Sequence, residues 1–200
     1  MLGRPCALGF RAHSGWAALV VAGGSPASPM IERRRLELVD RGVCGSLQPY
    51  HTAKQMRLED AEAFLKSCAE VAEAMATTAV RSIVSEMSRV GFKGAGSCIL
   101  LGSGRPTVDL GATLRSHAMI HTAEGHLFRE AIAKACGSCG LPVVGVKEKE
   151  LMSRAATAIG VSTAELKRRV SQVGKSVGPP WREDEKLCTI ASWLVLSDLS

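Results

Sequence analysis

The order of its segments constrains this chain more than any single motif. Three strand-like stretches come first, then one long amphipathic helix, then strand, helix, strand and a helical tail. Residues 6–12 and 16–22 read as strands joined by a tight turn at His13-Ser14-Gly15. The second is apolar on both faces, which suits an interior strand. After a loop punctuated by Gly23, Gly24, Pro26 and Pro29, residues 31–39 alternate imperfectly. Arg33, Arg35 and Glu37 share one face there, as expected of an edge strand wetted on one side. Residues 41–51 read as loop.

From Leu58 apolar residues recur at 58, 61, 65, 68, 72, 75, 79, 83, 87 and 90, spaced by three and four throughout. Gly91 suits a C-cap, and Thr52-x-x-Gln55 suits a capping box in front. At 1.5 Å per residue such a helix is about 50 Å long, more than a small sheet covers. Part of it is expected to project, to pack on the C-terminal helices, or to meet a second copy. Residues 97–101 form a short apolar strand, and 143–146 another after a helix over 122–136. Further helices are expected over 149–158, 163–173 and 183–196, the second opened by the capping box Ser162-x-x-Glu165.

Short links among the first three strands imply an antiparallel meander, and strand–helix–strand implies parallel pairing with right-handed crossovers. The expected fold is α/β: a mixed five-stranded sheet with helices on both faces. Residues 1–160, including the helix 58–90, would form the core, and 161–200 a C-terminal helical extension packed on it. Hydrophobic residues make up 46% of the 200, which suffices for a substantial core, but only 4% is aromatic. That core must be aliphatic. The formal charge of +6 permits phosphate or acidic partners without demanding them, because 25 basic residues are interspersed with 19 acidic ones. Seven cysteines in apolar contexts suit reduced thiols in a reducing compartment. No stretch approaches the roughly 20 apolar residues of a spanning helix. A cytoplasmic protein with no membrane partner is expected.

Gly9-Phe10-Arg11-Ala12-His13-Ser14-Gly15 and the opening of the last helix, Gly178 to Lys186, carry a resemblance. With the element order, they resemble the ribonuclease H-like superfamily, in the manner of Holliday-junction resolvases. Catalytic members have a glycine-hydrophobe-aspartate run on the first strand, and an early acid of the last helix completes their metal site. Asp184 matches that acid, whereas Arg11 stands where the aspartate is needed. Two-metal cleavage needs several convergent carboxylates, so the resemblance implies the fold without that chemistry. The opening hairpin and the terminal helix are expected to be neighbours.

Other candidates come from the residues themselves. Arg11 and His13 share one face of the first strand, and Leu8, Phe10 and Ala12 the other. His117, His121 and Glu124 would share a face of a continuous helix. A break before Thr122 is expected instead, leaving His121, Thr122 and Glu124 around a polar pocket and no metal. Arg105 and Asp109 follow the strand end at Gly102-Ser103-Gly104, where open α/β sheets place ligands. Cys136-Gly137-Ser138-Cys139 ends a helix, so the dipole opposes a reactive thiolate. Gly174-Lys175-Ser176 lacks the first glycine and preceding strand of a nucleotide loop.

The leading expectation is a diverged ribonuclease H-like module without two-metal catalysis. It would bind nucleic acid or an anionic small molecule in a groove lined by Arg11, His13, Arg105, His121 and Glu124, with Asp109 and Asp184 nearby. No cofactor is expected. One alternative is a hydrolase using His13 or His121 as acid/base with Glu124 as orienting partner. Another is a structural protein that self-associates through the helix 58–90.

Overall fold

The computed structural model describes residues 3–25, 28–104 and 109–198. The chain opens with β1 (Arg4–His13), β2 (Trp16–Ser25) and β3 (Ser28–Glu37), an antiparallel meander. Gly15, at φ 77°, supplies the left-handed backbone that closes the first hairpin. After the long helix, β4 (Phe92–Leu101) and later β5 (Val143–Lys147) add in parallel, giving the order β3-β2-β1-β4-β5. The mixed sheet and its edge strand β3 stand as expected. Its fourth strand begins five residues earlier than the apolar run, at Phe92 rather than Ser97, because register with β1 extends through Gly94 and Gly96.

Helices cover both faces. On one lie α1 (Pro49–Ala53), α2 (Leu58–Arg89), α3 (Leu110–Arg115) and α4 (His117–Ser138). Their apolar residues meet Cys6, Leu8 and Phe10 of β1 in one buried cluster that includes Ala76, Val80, Phe128 and Ile132. On the other lie α5 (Glu148–Ile159), α6 (Thr163–Val177) and α7 (Glu183–Ser197), packed over Ala7, Cys98 and Val146. A Cβ at Gly9 would overlap the carbonyl oxygen of Cys188, so α7 lies directly on the backbone of β1.

Three local expectations are corrected. The segment 41–51 is not all loop: Pro49 at a first helical position starts α1, and Tyr50 and Ala53 anchor it among Ala61, Leu65 and Leu114. Thr52 does not cap α2, whose N-cap is Arg57; its hydroxyl donates to the carbonyls of Gly45 and Gln48. The helix 122–136 starts at His117, because the Ser116 hydroxyl accepts from the Met119 N–H and caps it.

The long helix buries one face, in steps of three and four from Ala61 to Met87. Its front turns meet α1 and α3 and the remainder meets the sheet and α4, so most of its apolar stripe is covered by its own chain, while Leu58 and Val90 at its two ends stay exposed. The C-terminal helices lie across the sheet from it. Among the described residues, no helix is long and apolar enough to cross a membrane.

Candidate functional site

The parallel strands β1, β4 and β5 end on one side of the sheet: Phe10 pairs with Ile99, and Leu101 with Lys147. At that end, Arg11 and His13 point to the α7 face, two residues and four residues beyond Gly9. The Arg11 guanidinium is clamped between two acids. Its Nε and Nη2 donate to the Glu148 carboxylate at 3.1 and 2.9 Å, and its Nη1 donates to Asp184 Oδ1 at 2.7 Å. Glu148 opens α5 directly after β5, and Asp184 lies in the first turn of α7. The same Asp184 oxygen lies 3.0 Å from His13 Nε2. The hairpin and the acid-rich helix are therefore neighbours, as their sequences imply.

The electrostatics follow from this geometry. Burial works to raise the Asp184 carboxyl, but hydrogen bonds from Arg11 and His13 outweigh it and hold the group below the ordinary carboxylate range. For Arg11, burial opposes the charge, yet the bonds to Asp184 and Glu148 raise its pKa above the usual value. His13 stacks on Trp16 with ring centroids 4.1 Å apart, and the Arg35 guanidinium lies 3.7 Å from the ring centroid of Trp16. The space between the two carboxylates is thus filled by the protein's own guanidinium.

A second network lies on the other face. His117 and His121 sit one turn apart on α4, and α1 brings His51 beside them. Ring centroids are separated by 4.4 to 5.5 Å, all edge-on. The carboxylate of Glu124, only 3% exposed, is aimed at His51: Oε1 lies 3.0 Å from Nδ1 and accepts the His51 backbone N–H at 3.3 Å. The ring Glu124 orients is His51, not His121. Burial, and then the charge of Glu124, raise the Tyr50 phenol.

The expected groove residues thus divide between two networks: Arg11, His13 and Asp184 on the α7 face, His121 and Glu124 on the α4 face. Asp109 caps α3, its carboxylate accepting the Ala112 N–H at 2.9 Å. Arg105 lies outside the described residues.

Two site residues escape a reading of the sequence. His51 lies 66 positions before His117, in a segment whose helix is too short to carry a periodic signal. Arg129 is the other. Gly102 at the end of β4 and Gly125 one turn earlier on α4 leave room for its guanidinium, whose Nη1 would lie 3.7 Å from a Cβ at Gly102. Half-buried, Arg129 makes no hydrogen bond or ion pair among the described residues, and burial alone presses its pKa down. The Gly125–Arg129 spacing of four was its only trace in the sequence.

The three successive arginines of β3, by contrast, are committed elsewhere. Arg33 donates to the carbonyls of Val177 and Gly178 at the end of α6, Arg34 pairs with Glu86 and Glu32, and Arg35 pairs with Glu37. The Cys136 thiol is fully buried and burial pushes it up to about 11, which opposes thiolate formation at Cys136-x-x-Cys139.

No family model matches this chain, and no curated protein matches it in sequence. Solved structures do. The chain is similar to the RuvC structure of Thermus thermophilus, at a TM-score of 0.57 and 8% identity over 97% of this chain and 95% of that one. It is also similar to Thermus thermophilus RuvC in complex with Holliday junction substrate, at a TM-score of 0.55 and 8% identity over 98% and 96%. This likeness defines the class: an α/β protein with a ribonuclease H-like fold.

Proposed function

We propose that this chain is a nucleic-acid-binding ribonuclease H-like module that does not cleave by the two-metal route at the end of β1. The observation that carries this reading is the exchange of charge at the strand ends. Arg11, on the first strand, fills the space between Asp184 and Glu148 and neutralises both. A divalent ion there would have to displace a guanidinium held by three hydrogen bonds.

Binding is supported from three sides. A protein of the same fold has been solved with a Holliday junction. The net charge is +6. Arg129 presents a guanidinium with no partner among the described residues at the end of β4, where an α/β sheet places its ligands. A phosphate is a chemically apt partner for it, since guanidinium and phosphate oxygens match in geometry. The expected contact is with the backbone and so is sequence-independent.

Fluorescence anisotropy tests this with a four-way DNA junction, duplex and single-stranded DNA, in EDTA across a salt series. Affinity should fall linearly in log–log form, and Arg129→Ala should reduce the slope by about one. Absence of binding at low salt would remove the binding half. Mg²⁺-dependent strand cleavage that disappears in Asp184→Asn would remove the noncatalytic half.

The hydrolase reading keeps one specific support, because two histidines are oriented by carboxylates. Its dyads would be His13–Asp184 and His51–Glu124. Turnover of generic ester or phosphate substrates that is lost on His13→Ala or His51→Ala is what it requires.

A further inference from the structure

We infer that His51, His117 and His121 form a binding site for one first-row transition-metal dication, Zn²⁺ by preference, with Glu124 fixing the orientation of His51. One ligand atom from each ring lies within 4.8 Å of the other two. In a tetrahedral Zn²⁺ site with Zn–N of 2.0–2.1 Å, ligand nitrogens are about 3.4 Å apart. Small χ rotations of His117 and His121 close the difference, and both side chains are exposed. Ring centroids already 4.4 to 5.5 Å apart leave little more to adjust.

The support behind the rings points the same way. Metal-bound histidines typically donate their other ring N–H to a carboxylate, which fixes the tautomer and raises ligand basicity. Glu124 does this for His51: with Nδ1 engaged at 3.0 Å, Nε2 is the nitrogen left for a metal. A carboxylate only 3% exposed is costly unless matched by positive charge, and a dication on the far side of His51 supplies it. The scaffold is stiff. His117 and His121 project from one helix, and α1 is tied down by Ala53 and by the Thr52 hydroxyl. Three imidazoles and no carboxylate ligand select Zn²⁺, Ni²⁺, Co²⁺ or Cu²⁺ over Mg²⁺ and Ca²⁺. The fourth position would take water or an anion, and the neutral ligand set leaves the full double charge to hold it.

None of these side chains serves the phosphate contact at Arg129 or the clamp at Arg11, so either reading can fail alone. The test uses the untagged full chain, stripped with EDTA and titrated with ZnSO₄ by calorimetry, with imidazole NMR in parallel. One ion per chain is expected. His117→Ala with His121→Ala should abolish binding without altering the melt, since both side chains are exposed. Glu124→Gln should keep the stoichiometry and weaken binding by about 10- to 100-fold. Of the five histidines in the chain, the signals of His51, His117 and His121 should move on Zn²⁺ addition, and those of His13 and His126 should stay. No binding, binding undiminished in the double variant, or binding at Cys44 with the three signals unmoved would each overturn the site.

Discussion

Arg11→Met removes the guanidinium from between Glu148 and Asp184 and keeps most of the aliphatic stem. Side-chain exposure sets the magnitude: 25% for Arg11, 22% for Asp184 and 44% for Glu148. The Glu148 arm is close to the surface case, where a pair contributes about 0–1 kcal/mol. The Asp184 arm is more enclosed, though far from the fully buried pairs whose breakage costs about 3–5 kcal/mol. Arg11→Met should therefore cost about 2 kcal/mol, which for about 200 residues lowers Tm by roughly 4–8 °C. In a double-mutant cycle with Asp184→Asn, urea denaturation should give a coupling of about 1–1.5 kcal/mol. The pH dependence has a definite sign. Asp184 is depressed in the folded state, so its contribution is complete above the unfolded carboxylate value of about 3.9 and fades as pH falls through the lower folded value. The gap between wild type and Arg11→Met should be constant from neutrality down to about pH 5 and narrow in stronger acid. A coupling below about 0.3 kcal/mol, or a gap that widens in acid, would refute the clamp.

Gly9→Ala forces a methyl group into the Cys188 carbonyl and should cost about 1–3 kcal/mol in urea denaturation; a neutral variant would mean that α7 does not rest on β1. Thiol titration of the native protein should show Cys44 reacting at once and Cys139 more slowly, with the other five of the seven cysteines reacting only after unfolding. Burial raises Cys6, Cys98 and Cys136 to about 11, so a third thiol reacting before unfolding would contradict the core. Arg129→Ala should cost no more than about 1 kcal/mol in the thermal melt, from lost packing of its half-buried side chain, while weakening DNA binding, because no partner among the described residues is lost.

The sheet was legible because apolar runs bounded by glycine and proline, and a helix of 32 residues spaced by three and four, fix the order of the elements. The contact of Arg11 with Asp184 was legible only through the resemblance, since 173 residues separate the two and nothing local joins them. What escaped was set by tertiary contacts. One turn of helix at Pro49–Ala53 has no periodicity, yet it carries His51 to the other two rings. The Ser116 cap was legible in principle, but Thr122 offered a competing start and hid the continuous helix beneath His117 and His121. Arg33 and Arg35 could be placed on the wetted face of an edge strand, but the partners of Arg33, Arg34 and Arg35 could not, because charge can be read from sequence and pairing cannot.

Paramagnetic broadening by Mn²⁺, read residue by residue in amide NMR spectra, bears most directly on the claim that Arg11 takes a cation's place. Signals of residues 9–13, 147–149 and 183–186 in the wild type should be untouched by added Mn²⁺, and the same signals should broaden in Arg11→Asp, where three carboxylates would converge. Broadening around Asp184 and Glu148 in the wild-type protein would contradict it.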